Sequence, residues 1–237
     1  MMINLTKSVP LKELCKVSAL GYTEDIAQQI EFTFSHEAMI GFATELLWMY
    51  EDIDDSQKSI WETYPLKVDP APSQAVGFYL TSDSPMFVLK TNSLTEKKEE
   101  GYIYENWKEI NIRTKYGELY YNLKDPTVED IEVITLEAYE LARKNIVKIK
   151  VFDNEGNDIT KGYHAVILEI NREGIKDFAT MLLVWADNYN EGSEYVLPQI
   201  DNPKQGYNLG ILLTHDSISC KLKAHDLGVA NDYDSRF

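Results

Sequence analysis

"GFATELLWMYEDI" occupies residues 41–53, and "DFATMLLVWADNY" occupies residues 177–189. The chain writes Phe-Ala-Thr-x-Leu-Leu twice, and self-similarity of this kind governs how everything else is read. Set at an offset of 136, residues 35–50 and 171–186 share six of sixteen letters: Glu37/Glu173, Phe42/Phe178, Ala43/Ala179, Thr44/Thr180, Leu46/Leu182 and Leu47/Leu183. A second pair follows in the same order. "GFYLTSDSPMFVLKTNSL" (77–94) and "GILLTHDSISCKLKAHDL" (210–227), at an offset of 133, share eight of eighteen, including Gly-x-x-Leu-Thr-x-Asp-Ser. The spacing is too wide for a solenoid, so it predicts an internal duplication of one structural unit.

Each unit has a readable shape. "QIEFTF" (29–34) alternates polar and apolar residues, as a half-buried strand does. Ser35 then serves as helix N-cap. Met39, Phe42, Ala43, Leu46 and Tyr50 recur at helical spacing and predict one core-facing stripe. In the second copy "YHAVILEI" (163–170) is the strand, Asn171 the cap, and Ile175, Phe178, Ala179, Leu182 and Ala186 the stripe. The repeated letters are therefore core letters. In the second block, short strands flank Ser82-Asp83-Ser84-Pro85 and His215-Asp216-Ser217, residues suited to turns. A hydrolase triad drawn from "HDS" is rejected, because triad members meet in space and are not sequence neighbours.

Other segments are not repeated. Residues 95–101, "TEKKEEG", read as a charged linker, and residues 109–123 as a hairpin turning near Tyr116-Gly117. Residues 125–145 read as a helix capped at Thr127, with Ile131, Ile134, Leu136, Ala138 and Leu141 apolar. Residues 146–170 read as two strands around Asn154-Glu155-Gly156-Asn157, and residues 228–237 as a polar tail. The expected fold is α+β: internally duplicated strand–helix–hairpin units forming mainly antiparallel sheets with helices packed on them. The expected division is a first half, 1–100 (repeat core 29–94), and a second half, 101–237 (repeat core 163–227), which carries the inserted hairpin and helix. One compact pseudo-symmetric domain is the alternative.

The 237 residues carry 39 Asp and Glu against 23 Lys and Arg, a net charge of −16. Such a field repels nucleic acid and anionic membranes and attracts a basic partner, though acidity also serves plain solubility. No apolar run approaches the length of a membrane span, and no signal-peptide pattern opens the chain. Two cysteines, Cys15 and Cys220, make no disulfide framework and read as buried apolar residues in a reducing, cytoplasmic setting.

Chemistry is scarce. His36, His164, His215 and His225 form no zinc pattern, and His164 reads as a structural strand residue. "DNEGND" lacks the glutamate that a calcium loop needs at its twelfth position, where His164 stands. No catalytic residue, metal site or cofactor is assigned. Tyr102, Tyr104, Trp107, Tyr116, Tyr120 and Tyr121 lie among acids rather than in a basic groove, which suits a protein interface or ordinary strand usage better than nucleic acid. Acids gather after each repeated helix: Glu51, Asp52, Asp54 and Asp55 after the first, Asp187, Glu191 and Glu194 after the second. These seven are the candidate contacts for a basic protein.

"SHEAMIGFATELLWMY" followed by "GFYLTSDSPMFVL" resembles the strand–helix–hairpin blocks of bacterial immunity proteins from contact-dependent inhibition and related polymorphic toxin systems. The resemblance covers the two repeat blocks, under a third of the chain. It implies a cytoplasmic, non-enzymatic protein that binds and neutralises one cognate toxin, often a nuclease and hence basic. Two other classes stay open: a hydrolase or transferase with a carboxylate-lined cleft between the halves, and a structural or regulatory adaptor. The oligomeric state is not legible.

Overall fold

The computed structural model describes residues 14–52, 59–66, 77–91, 146–199 and 211–228. The expected linker at 95–101, the hairpin and helix between 109 and 145, the six clustered aromatics, Asp54 and Asp55 all lie outside these residues. The elements are β1 (Leu14–Gly21), β2 (Gln29–Phe34), α1 (His36–Asp52), β3 (Ile60–Thr63), β4 (Tyr79–Leu80), β5 (Met86–Thr91), β6 (Ile146–Phe152), β7 (Tyr163–Ile170), α2 (Arg172–Asp187), β8 (Glu194–Val196), β9 (Leu212–Leu213) and β10 (Ser219–Ala224). The protein is α+β; its described residues form two α-helices and two open, mixed, antiparallel-rich sheets.

One sheet runs β3-β5-β7-β1-β9 and the other β8-β10-β2-β6-β4. Exchanging the first five strands for the last five converts one order into the other, and the directions agree throughout. The pairs β1/β7 and β6/β2 are antiparallel, β5/β7 and β10/β2 parallel, β3/β5 and β8/β10 antiparallel, β1/β9 and β6/β4 parallel. Registers agree as well. Phe87 faces Val166 in one sheet as Cys220 faces Ile30 in the other. Each sheet therefore interleaves strands from both halves of the chain.

This order corrects one expectation. The segments around Ser82–Pro85 and His215–Ser217 do not close hairpins, because β4 and β5 lie in different sheets, as do β9 and β10. Each turn instead hands the chain from one sheet to the other. Its Thr-x-Asp-Ser letters fasten that crossing to a strand of the other half. Ser84 Oγ accepts the Ile149 N–H at 2.9 Å, and Ser217 Oγ accepts the Val17 N–H at 2.9 Å. Asp83 accepts from Thr81 at 2.7 Å and pairs with Lys148; Asp216 accepts from Thr214 at 2.9 Å and pairs with Lys16. The half-exposed ion pairs contribute little, about 0–1 kcal/mol each. The buried serine contacts matter more, since losing one orphans a strand N–H at about 1–3 kcal/mol.

The helices start where their caps predict. Ser35 Oγ accepts from the Ala38 N–H at 3.1 Å, and Asn171 Oδ1 from the Gly174 N–H at 2.9 Å. Every residue of both expected stripes is buried, and α1 buries Ala38, Ile40, Leu47 and Met49 besides, so it is enclosed on nearly all sides. The repeated threonine is explained by that burial. Thr44 Oγ1 donates to the Ile40 carbonyl at 2.9 Å and Thr180 Oγ1 to the Lys176 carbonyl at 3.0 Å, so each satisfies its hydroxyl within its own helix. Phe42 and Phe178 meet edge to face, centroids 5.8 Å apart, where the helices cross. Phe42 also touches the rings of Phe34, Phe78 and Phe87. The helices run antiparallel: Arg172 lies 4.2 Å over the Tyr50 ring at one end, and His36 meets Tyr189 at 5.3 Å at the other.

The sheets differ on their outer faces. One presents an ionic lattice in which Lys221 reaches Glu194 at 2.6 Å and Glu31 at 3.7 Å, while Lys150 reaches Asp158 at 2.9 Å. The other buries a small apolar cluster of Val88, Ala165 and Ile167. Cys220 is a fully buried core residue, and burial pushes its thiol far above the reactive range.

Candidate functional site

Of the seven acidic candidates, Glu51 is exposed on the last turn of α1 and Asp52 is its final residue. Asp187 ends α2, and Glu191 and Glu194 follow it exposed. The antiparallel helices place Glu51 and Asp187 at opposite ends of the pair, roughly 25 Å apart for a helix of this length. Glu51 and Asp187 thus do not share one surface. The second acidic group is also partly compensated. Glu191 Oε1 meets His225 Nδ1 at 2.9 Å, and Glu194 binds Lys221 at 2.6 Å with Lys223 at 3.8 Å. Lys221 holds the Glu194 carboxyl below its usual range.

A different place gathers residues from both halves. The β1–β2 loop and the β6–β7 connection lie side by side, because β1 ends against the start of β7 and β6 ends against the start of β2. They touch at glycine: a Cβ on Gly21 would stand 2.6 Å from the Gly162 carbonyl, and one on Gly162 would stand 2.7 Å from Thr23 Cγ2. Tyr22 N–H donates to that same Gly162 carbonyl at 2.9 Å. The Tyr163 hydroxyl donates to the Asp25 carbonyl at 2.6 Å and accepts the Ala27 N–H at 2.8 Å. Beside this junction opens a cleft of about 660 Å³, lined among others by Thr23, Asp25, Asp83, Lys150, Asp158 and Lys161.

The cleft's electrostatics limit its chemistry. Partial burial raises the Asp158 carboxyl, but hydrogen bonds from Thr160, at 2.6 and 3.1 Å, and the Lys150 ammonium outweigh it and hold the group at about 2. Burial likewise raises Asp83, and Lys148 with Thr81 pulls it below the usual range. Both are fixed anions at neutral pH, unsuited to donating a proton. The neighbouring "DNEGND" turn is occupied with itself. Asp153 Oδ1 accepts the N–H groups of Glu155 and Asn157, both at 2.8 Å, and Gly156 adopts φ 82°. Among the described residues no three His, Cys, Asp or Glu side chains converge on a metal position.

His164, expected to be a satisfied strand residue, lies in β7 but is exposed and stacks on Tyr22, ring centroids 4.7 Å apart. Tyr22 (90% exposed) and Ile26 (71% exposed) were not singled out from the sequence. The available signal was two large apolar residues inside the short polar stretch "GYTEDIAQ".

Glu45 is the exception to the pattern of lowered carboxylates. It lies on α1 against Gly77, where the paired position on α2 carries the buried Met181. Burial alone pushes its carboxyl from 4.5 to about 7. The folded chain therefore holds this proton more tightly than the unfolded one. Below pH 4.5 both states carry it and nothing is lost. Between pH 4.5 and 7 the folded state pays a growing penalty, complete above pH 7 and on the order of 3 kcal/mol. Glu45→Gln is expected to stabilise the protein by up to that amount at pH 8, and by only about 0.4 kcal/mol at pH 4.5. Urea denaturation at the two pH values decides it: equal gains at both would mean that Glu45 is ionised normally.

No family model, curated protein or solved structure matches the chain. Among the described residues no helix is long and apolar enough to cross a membrane.

Proposed function

We propose that the protein is a cytoplasmic immunity protein that binds and neutralises a cognate, basic, nuclease-type toxin domain. The observation that carries the reading is the net charge of −16. Asp83, Asp158, Glu194 and Asp216 are each matched by a lysine, so the steering charge comes from the acids beyond these pairs. Such negative charge suits the steering of a cationic partner, and a nuclease must be cationic where it grips phosphate. The resemblance of the two repeat blocks to immunity proteins points the same way. Glu51, Asp52, Asp54, Asp55, Asp187, Glu191 and Glu194 remain the steering charges proposed from the sequence, with Glu194 the weakest because lysines already match it.

The cleft between the halves is also the observation that would favour a hydrolase. That chemistry needs one carboxyl kept protonated near neutral pH, and Asp83 and Asp158 are tuned the opposite way. The test uses the toxin domain encoded beside this gene, in a catalytically inactive form. Tight association that weakens as salt rises, with rescue of growth when the active toxin is co-expressed, is the expected result. Failure to bind, combined with turnover of a small substrate that is lost in Asp158→Asn, would replace the proposal with the enzyme.

A further inference from the structure

We infer that the partner docks on the end of the molecule formed by the β1–β2 loop and the β6–β7 connection, with Tyr22 and Ile26 as its anchors and a basic protein surface as the occupant. This rests on the toxin-neutralising reading above. Tyr22 and Ile26 are the two most exposed of the large apolar residues described. Free loops tend to fold such side chains away. Here the backbone prevents it. The Tyr163 hydroxyl grips the chain on both sides of Ile26, at the Asp25 carbonyl and the Ala27 N–H, so the side chain between them is held outward. Tyr22 is fixed by its N–H on the Gly162 carbonyl and by the His164 ring beneath it. An apolar side chain presented rigidly to water loses little entropy on binding, which is what an interface anchor requires.

The rim identifies the occupant. Glu24 and Asp25 flank the anchors on one loop, and Glu155 is exposed on the other, where Asp158 is matched by Lys150. Lys161 is the one exposed cation on these two loops. Lysine and arginine surfaces complement such a rim, while nucleic acid and anionic lipid are repelled by it. An apolar centre inside a charged rim is the usual anatomy of a tight protein interface.

The probe is the inactive toxin domain encoded next to this gene, titrated against the full chain. Tyr22→Ala and Ile26→Ser are each expected to raise Kd by roughly thirty-fold or more, mainly through faster dissociation. Glu155→Lys is expected to slow association and flatten its salt dependence. Ile60→Ser, which removes an equally apolar exposed residue on edge strand β3, should leave Kd within about two-fold. Matching thermal melts establish that each variant is folded. If the unchanged protein binds and the two anchor variants bind as well as it does, this surface is wrong and the function stands. If the unchanged protein does not bind, the function itself is overturned, and this surface with it.

Discussion

Expressed separately, residues 1–100 and residues 101–237 are each expected to lack a cooperative melt, and mixing the two pieces is expected to restore one. Six ladder positions join β5 to β7 and seven join β1 to β7, so the middle of one sheet is made across the halves. The other sheet depends in the same way on β6 and β10 flanking β2. Either piece alone leaves unpaired strands whose backbone groups and apolar faces have lost their partners. Circular dichroism melts of each piece and of the mixture decide the matter. A cooperative melt from either piece as a monomer would show that its strands find another arrangement within one half.

Phe42→Ala is expected to cost about 3–5 kcal/mol, lowering the melting temperature by roughly 6–20 °C, and to cost more than Phe178→Ala. The two residues occupy paired positions on paired helices, but their surroundings differ. Among the described residues Phe42 touches four aromatic rings, whereas Phe178 meets the Phe42 ring alone. Around it the halves carry different letters at matching strand positions: Phe34 against Ile170, and Phe87 against Cys220. One half fills the centre with large rings and the other yields space. Thermal or urea unfolding of the two single variants measures the difference. A larger loss at Phe178 would mean that the hub lies on α2.

The helices were legible because their signals are local. A 3.6-residue stripe and a capping Ser35 or Asn171 need no knowledge of the rest of the chain. The turns were legible for the same reason, but their destinations were not. β4 and β9 are two residues each, and each pairs with a strand more than sixty residues away, Tyr79 with Ile146 and Leu212 with Leu14. Nothing near Thr-x-Asp-Ser announces that its serine will receive an N–H from the other half. The cleft was hidden likewise, since Asp25, Asp83 and Asp158 come from three separated stretches and meet only through interleaving. The acids at the helix ends were easy to see, yet antiparallel packing sends Glu51 and Asp187 to opposite ends.

Interleaving also sets a timetable for synthesis. β2 is complete at Phe34, but its parallel neighbour β10 begins only at Ser219. At ordinary elongation rates that separation is roughly ten to forty seconds, during which Ile30, Phe32 and Phe34 have emerged without the strand that closes their sheet. Local structure such as α1 forms almost at once on that scale. The ribosome therefore carries a helical, apolar and incomplete first half for most of translation. Termination anywhere before Ser219 leaves an open strand edge rather than a smaller fold, so truncated chains are expected to aggregate or be degraded instead of accumulating as partly folded protein.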